Sequence, residues 1–90
     1  MWQLMPGQSF RLRRFDDEFV LFNDLSGDTH LLGGEAVHVL SVLQAGGPAS
    51  GAALCAALAL ALECARDAEF EAEADAVLVQ LAAYSLIRPA

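Results

Sequence analysis

The sequence predicts an α+β domain in which a three-stranded antiparallel sheet is followed by three helices, in the order βββααα. Three observations carry this expectation. Phe19 to Leu32 holds two short runs rich in apolar residues around the turn formers Asn23, Asp24, Ser26 and Gly27, the pattern of a β-hairpin. From Glu35 onward the apolar residues recur at spacings of three and four, broken by recognisable helix stops and starts. Finally, 90 residues of which 56% are apolar and 19% charged make one packed domain, residues 1–90, with no room for a second.

Taken in order, Met1 to Gly7 reads as an irregular lead-in, with Trp2 and Leu4 tucked against the body and a turn at Pro6-Gly7. The sheet covers about residues 8–32. Ser9 to Phe15 alternates Phe10 and Leu12, facing in, with Arg11 and Arg13, facing out. Asp16-Asp17 turns the chain into a middle strand, Glu18 to Asn23, and Gly27 can take positive φ without steric cost before a third strand, Asp28 to Leu32. Short links make an antiparallel meander, which leaves the first and third strands with unpaired edges.

Gly33-Gly34 ends the sheet. The first helix, about 34–45, has Ala36, Val39, Leu40 and Leu43 on one face and His38, Ser41 and Gln44 on the other, and Gly46-Gly47-Pro48 stops it. Ser50 caps a second helix, about 51–65, which is so uniformly Ala- and Leu-rich that it is expected to be the most enclosed of the three. Asp67 caps a third helix, about 68–85, with Glu69 and Glu71 suited to the positive end of its dipole. Phe70, Ala74, Val77, Leu78, Leu81 and Tyr84 form its core face. Ala72, Ala76, Val79, Ala83 and Leu86 form a second apolar stripe roughly opposite, separated from the first by acidic residues and Gln80. A helix with two apolar faces needs two partners, and the core supplies only one.

The charge balance excludes some functions. Twelve Asp and Glu stand against five Arg and no Lys, a net charge of −7. A duplex binder needs cations to displace counterions from phosphates, so nucleic acid is not the expected partner, and Arg11, Arg13 and Arg14 read most plainly as a solvated strand face. Cys55 and Cys64 fall on one predicted helix, nine residues apart, on opposite sides and about 13 Å apart along the axis. Neither a disulfide nor a shared metal fits that spacing, and both are expected to be buried small hydrophobes in a reducing compartment. No basic segment followed by an apolar run opens the chain, and Ala52 to Leu62 is too short to span a bilayer, so a cytoplasmic, membrane-free protein is expected. Catalytic chemistry is not visible. His30 and His38 lie on different elements, Asp28 and His30 share a strand face without a nucleophile, and the acidic run from Asp67 to Asp75 lacks calcium-loop spacing. No cofactor and no enzymatic activity are expected.

The order of strands and helices, together with Phe19-Val20-Leu21-Phe22-Asn23, Ser26-Gly27-Asp28-Thr29-His30-Leu31-Leu32 and the closing Leu81-Ala82-Ala83-Tyr84-Ser85-Leu86-Ile87, resembles the PqqD-like proteins. These winged-helix-like domains are the peptide chaperones, or recognition elements, of ribosomally made and post-translationally modified peptide (RiPP) pathways. The Ser-Gly-Asp-Thr-His-Leu-Leu string is most similar to the subgroup tied to HPr-kinase-related systems. The resemblance implies a non-catalytic domain that binds a precursor's leader peptide and presents it to a modifying enzyme. It also implies that the peptide adds as a strand to the third β-strand and rests on the third helix. Those elements correspond here to Asp28, Thr29, His30, Leu31 and Leu32, and to Ala72, Ala76, Val79, Gln80 and Ala83. Ser85 stands where these domains often carry Gly.

The residues themselves point the same way on two counts. A free strand edge is a template for strand addition, and a spare apolar stripe gives an added strand something to bury. The same two features serve a homodimer equally well. A self-associating subunit and a winged-helix nucleic-acid binder therefore stand as alternatives. Which of Thr29 or His30 turns its N–H outward is not decided by sequence.

Overall fold

The computed structural model describes all residues, 1–90. The elements run β1 (Trp2–Leu4), β2 (Phe10–Phe15), β3 (Glu18–Asn23), β4 (Thr29–Leu32), α1 (Gly34–Gly46), α2 (Gly51–Leu62), α3 (Ala68–Ala83) and β5 (Ile87–Pro89). The expected α+β architecture holds: β2, β3 and β4 form an antiparallel sheet in that order, followed by three helices.

The lead-in is not irregular. Trp2, Gln3 and Leu4 pair antiparallel with Pro89, Arg88 and Ile87, so the two ends of the chain close into a second, two-stranded sheet. Such pairing joins residues from opposite ends of the sequence, and no local pattern announces it. Trp2 also exchanges backbone bonds with Ala49, at 2.6 and 2.9 Å, which ties this clasp to the α1–α2 loop.

The core gathers Leu21 and Leu32 from the sheet, the α1 face Ala36, Val39, Leu40 and Leu43, Leu54, Cys55 and Leu58 of α2, Ala74, Leu78 and Leu81 of α3, and Leu86 and Ile87. The faces assigned to α1 and α3 are therefore the faces buried. Removing so much apolar surface from water is what holds a domain of this size together. Both assigned caps form: Ser50 Oγ accepts from the Ala53 N–H at 3.0 Å, and Asp67 Oδ1 accepts from the Phe70 N–H at 2.8 Å.

Four expectations are corrected. α2 ends at Leu62, because Glu63 takes a left-handed conformation (φ 54°) and its N–H turns back to the carbonyls of Ala59 and Leu60. Cys64 consequently lies beyond the helix and is exposed, while Cys55 is buried. α2 does bury the largest share of its residues, four of twelve (Leu54, Cys55, Leu58 and Ala59) against four of thirteen in α1 and three of sixteen in α3, but, second, it is not enclosed all round: Leu60 is 82% exposed. Alanine is so small that an Ala-rich surface reads as apolar without needing burial. Third, Leu12 is 44% exposed and lies outside the core. It sits opposite Leu21 in the ladder, but β2 is the outer strand, and only Phe10 of it packs against the core. Fourth, α3 ends at Ala83. Ser85 adopts φ 59°, and the chain reverses so that Leu86 enters the core completely instead of extending the second stripe.

Candidate functional site

The sheet's hydrogen-bond parity decides which backbone groups are free. Asn23 donates its N–H to Asp28 at 2.9 Å, while Asp24 donates to Ser9 at 2.9 Å, so alternate residues of β3 face opposite neighbours. Asn23, Leu21 and Phe19 face β4; Asp24, Phe22 and Val20 face β2. With Leu21 opposite His30 and Phe19 opposite Leu32, the backbone groups of His30 and Leu32 bond inward. Thr29 and Leu31, opposite Phe22 and Val20, turn their N–H and C=O groups to the open edge. No backbone bond of a loop or cap uses either residue. The donor left open between Thr29 and His30 is thus that of Thr29, with Leu31 its companion.

Local chemistry fixes this register. Asn23 is almost fully buried (1% exposed), and its Oδ1 accepts from the Leu25 N–H at 3.0 Å, closing an Asx turn. Gly27, at φ 77°, donates to the Asn23 carbonyl at 2.8 Å, which spends the extra residue of the loop before β4 begins. Asp28 lies in that loop, just outside the strand, and its side chain is exposed.

Side chains alternate with the backbone. Leu32 is buried in the core and presents only backbone to the surroundings. His30 faces the body, where its ring stacks on Tyr84, the residue that terminates α3, with centroids 4.3 Å apart and planes 15° from parallel. The pairing of Asp28 with His30 suggested by sequence is replaced by this stack. The His30 Nε2 atom is buried there without a hydrogen-bond partner. Tyr84 Oη in turn accepts from Gln80 Nε2 at 3.4 Å. Thr29 is exposed on the opposite face of the sheet, and Leu31 is 56% exposed beside it.

The stack fixes which side of α3 is nearest β4. Gln80 lies one turn before Tyr84, and Glu73, Ala76 and Ala83 flank the same side of the helix at about 100° per residue. Val79 is turned about 100° away from Gln80, and Ala72 shares its direction. All five of Ala72, Ala76, Val79, Gln80 and Ala83 are exposed, Val79 at 65%. The structure therefore joins β4 to α3 through the His30–Tyr84 stack, with Gln80 one turn away and Ala76 and Ala83 flanking it, while Thr29 and Leu31 contribute their outward backbone groups and point their side chains to the other face of the sheet. Ala72 and Val79 lie further round the helix. Tyr84, expected only on the core face of α3, thus also stacks on β4, and its spacing of four from Gln80 is the sign in sequence of this second role.

A cavity of about 220 Å³ lies between the start of α1, the end of α2 and α3, lined by Glu35, Leu58, Leu62, Phe70, Glu73, Ala74 and Val77. No three His, Cys, Asp or Glu side chains converge as a metal site. No helix is long and apolar enough to cross a membrane. Compared with family models, curated proteins and solved structures, the chain matches none.

Proposed function

We propose that the domain is a non-catalytic, PqqD-like peptide-binding chaperone that captures a precursor's leader peptide as a fourth strand on β4 and presents it to a modifying enzyme. The observation that carries this reading is the free edge of β4 at Thr29 and Leu31, lying beside an exposed, small-residue flank of α3. Strand addition draws affinity from main-chain hydrogen bonds and register from alternate side-chain pockets. Here the bonds would come from Thr29 and Leu31, and the pocket wall from Ala76, Ala83 and the His30–Tyr84 stack. The short alanines leave room for large apolar side chains on the incoming strand. The sheet followed by three helices fits the winged-helix-like arrangement of that family, and Ser85 at φ 59° occupies the conformation for which Gly is the usual choice. The reading takes no nucleic acid, since the exposed Arg11, Arg13 and Arg14 are outnumbered by twelve acids.

One observation favours a second reading. Val79 and Leu60 are large apolar side chains left in solvent, as on a subunit that pairs with its own copy. The two readings separate in one experiment. Fluorescence polarisation with labelled leader segments of short peptides encoded near this gene should show binding to the wild-type domain. Leu31→Pro, which blocks the edge, should abolish it. Ala76→Glu, which sets a carboxylate against the peptide's apolar side chains at about 1–3 kcal/mol, should weaken it by about 5- to 150-fold. Folded variants that bind as well as wild type would refute the site. Variants that only turn a dimer into a monomer in sedimentation would establish the self-associating subunit instead.

A further inference from the structure

We propose that the cavity at the α3 start is an anchor pocket for one arginine or lysine side chain of the strand that docks on β4, so that the peptide class recognised is an apolar strand with a basic residue beside it. This inference rests on the strand-addition reading above.

Its first support is position. Glu73 and Gln80 are seven residues apart, as are Val77 and Tyr84, so the cavity lies two turns, about 10.5 Å, from the His30–Tyr84 stack along the same flank of α3. From the sheet, Glu35 follows Leu32, the last residue of β4, by three positions. A strand rises about 3.4 Å per residue and only alternate side chains share a face, so a side chain two positions from the one facing the His30–Tyr84 stack lies about 7 Å along, and the long stem of a basic residue covers the remaining few ångströms to this cavity.

Size and chemistry agree. At about 220 Å³ the cavity falls below the roughly 300–1,000 Å³ of small-molecule sites and suits a single long side chain. Its floor is apolar: Leu58 and Ala74 are buried, and Phe70 and Val77 half-buried, which fits the methylene stem of a basic residue. Its two polar members, Glu35 and Glu73, are both carboxylates at the exposed rim, where a guanidinium or ammonium head would emerge. The domain supplies no cation of its own there. The ion pairs it forms are Arg11 with Asp24 at 3.5 Å and Arg66 with Glu71 at 3.3 Å, and neither involves Glu35 or Glu73. An apolar slot with unneutralised carboxylates at its mouth selects a cation on an aliphatic stem over a neutral or acidic residue.

The test is selection from a random octapeptide library displayed on beads, by the wild-type domain, by Glu35→Gln/Glu73→Gln and by Leu31→Pro, each confirmed folded by circular dichroism. Wild type should enrich peptides with alternating apolar residues and one Arg or Lys at a fixed offset. The double variant should keep the apolar alternation and lose about tenfold of the preference for a cation, as expected when charge-assisted bonds are removed. Leu31→Pro should enrich neither. Apolar alternation without a basic residue in the wild-type selection would overturn the anchor and leave strand addition standing, as would an unchanged cation preference in the double variant. Cation preference that survives Leu31→Pro would overturn strand addition itself, and with it this inference.

Discussion

Proline placed at adjacent positions of β4 tests the register on which the site is built. At Leu31 the N–H faces the open edge, so Leu31→Pro removes no ladder bond; a strand edge accepts the fixed φ of the ring, and the loss should stay within about 1 kcal/mol. At His30 the N–H bonds toward Leu21. His30→Pro deletes that donor, strands a buried carbonyl and pushes the ring into the middle strand, which together cost about 3 kcal/mol or more. A 90-residue domain has about 5–13 kcal/mol in total, so the difference is a large fraction of its stability. At about 4–8 °C per kcal/mol, the two variants should melt roughly 8–20 °C apart. His30→Ala belongs in the same series, because it removes the stack on Tyr84 without touching the ladder. Urea unfolding followed by circular dichroism gives all three values. Should His30→Pro prove no less stable than Leu31→Pro, or Leu31→Pro be the more damaged, the parity drawn from Asn23 and Asp24 is wrong, and Thr29 and Leu31 do not form the binding edge.

Three further outcomes are expected. Ser85→Gly should stabilise the domain by about 0.5–1 kcal/mol, since it relieves a left-handed conformation costly to any residue with a Cβ; a urea midpoint that falls would contradict this. Thiol titration should count one reactive cysteine, Cys64, in the native protein and two in denaturant, with reductant leaving the melting temperature unchanged; two fast thiols would mean that Cys55 is not in the core. Ser50→Ala and Asp67→Ala should each cost about 1 kcal/mol and add within about 0.5 kcal/mol in the double variant, because they cap different helices; a strongly non-additive result would show that α2 and α3 form as one coupled unit.

What was legible in the chain was whatever depends on neighbours in sequence. The turn at Asn23 to Gly27, the caps at Ser50 and Asp67 and the core faces of α1 and α3 all follow from spacing within a few residues, and all are present. What escaped depends on distant partners or on subtle backbone choices. β1 exists only because β5 meets it. Glu63 and Ser85 end their helices in a left-handed conformation that neither residue type advertises. β2 alternates as a half-buried strand should, yet as the outer strand only its Phe10 packs against the core, and Leu12 stays exposed. The candidate site divides likewise. The existence of its strand and helix follows from local pattern, but the direction of the edge needs the Asp24–Ser9 bond, and the near side of α3 needs the contact of Tyr84 with His30.

The terminal clasp also gives this protein a built-in reporter. Its single tryptophan, Trp2, sits on β1, bonded to Ala49 and within reach of Gly51 at the start of α2. Indole fluorescence therefore signals whether the two ends have met, while circular dichroism signals whether the helices have formed. Bringing the ends together closes the longest loop in the molecule, an event that local helix formation does not require. Followed by both signals, unfolding will reveal whether the clasp opens with the rest or ahead of it. The same juxtaposition, sealed by the Ala90 N–H on the Met1 carbonyl at 2.8 Å, brings anything joined to either end out at one point, beside β1 and β5.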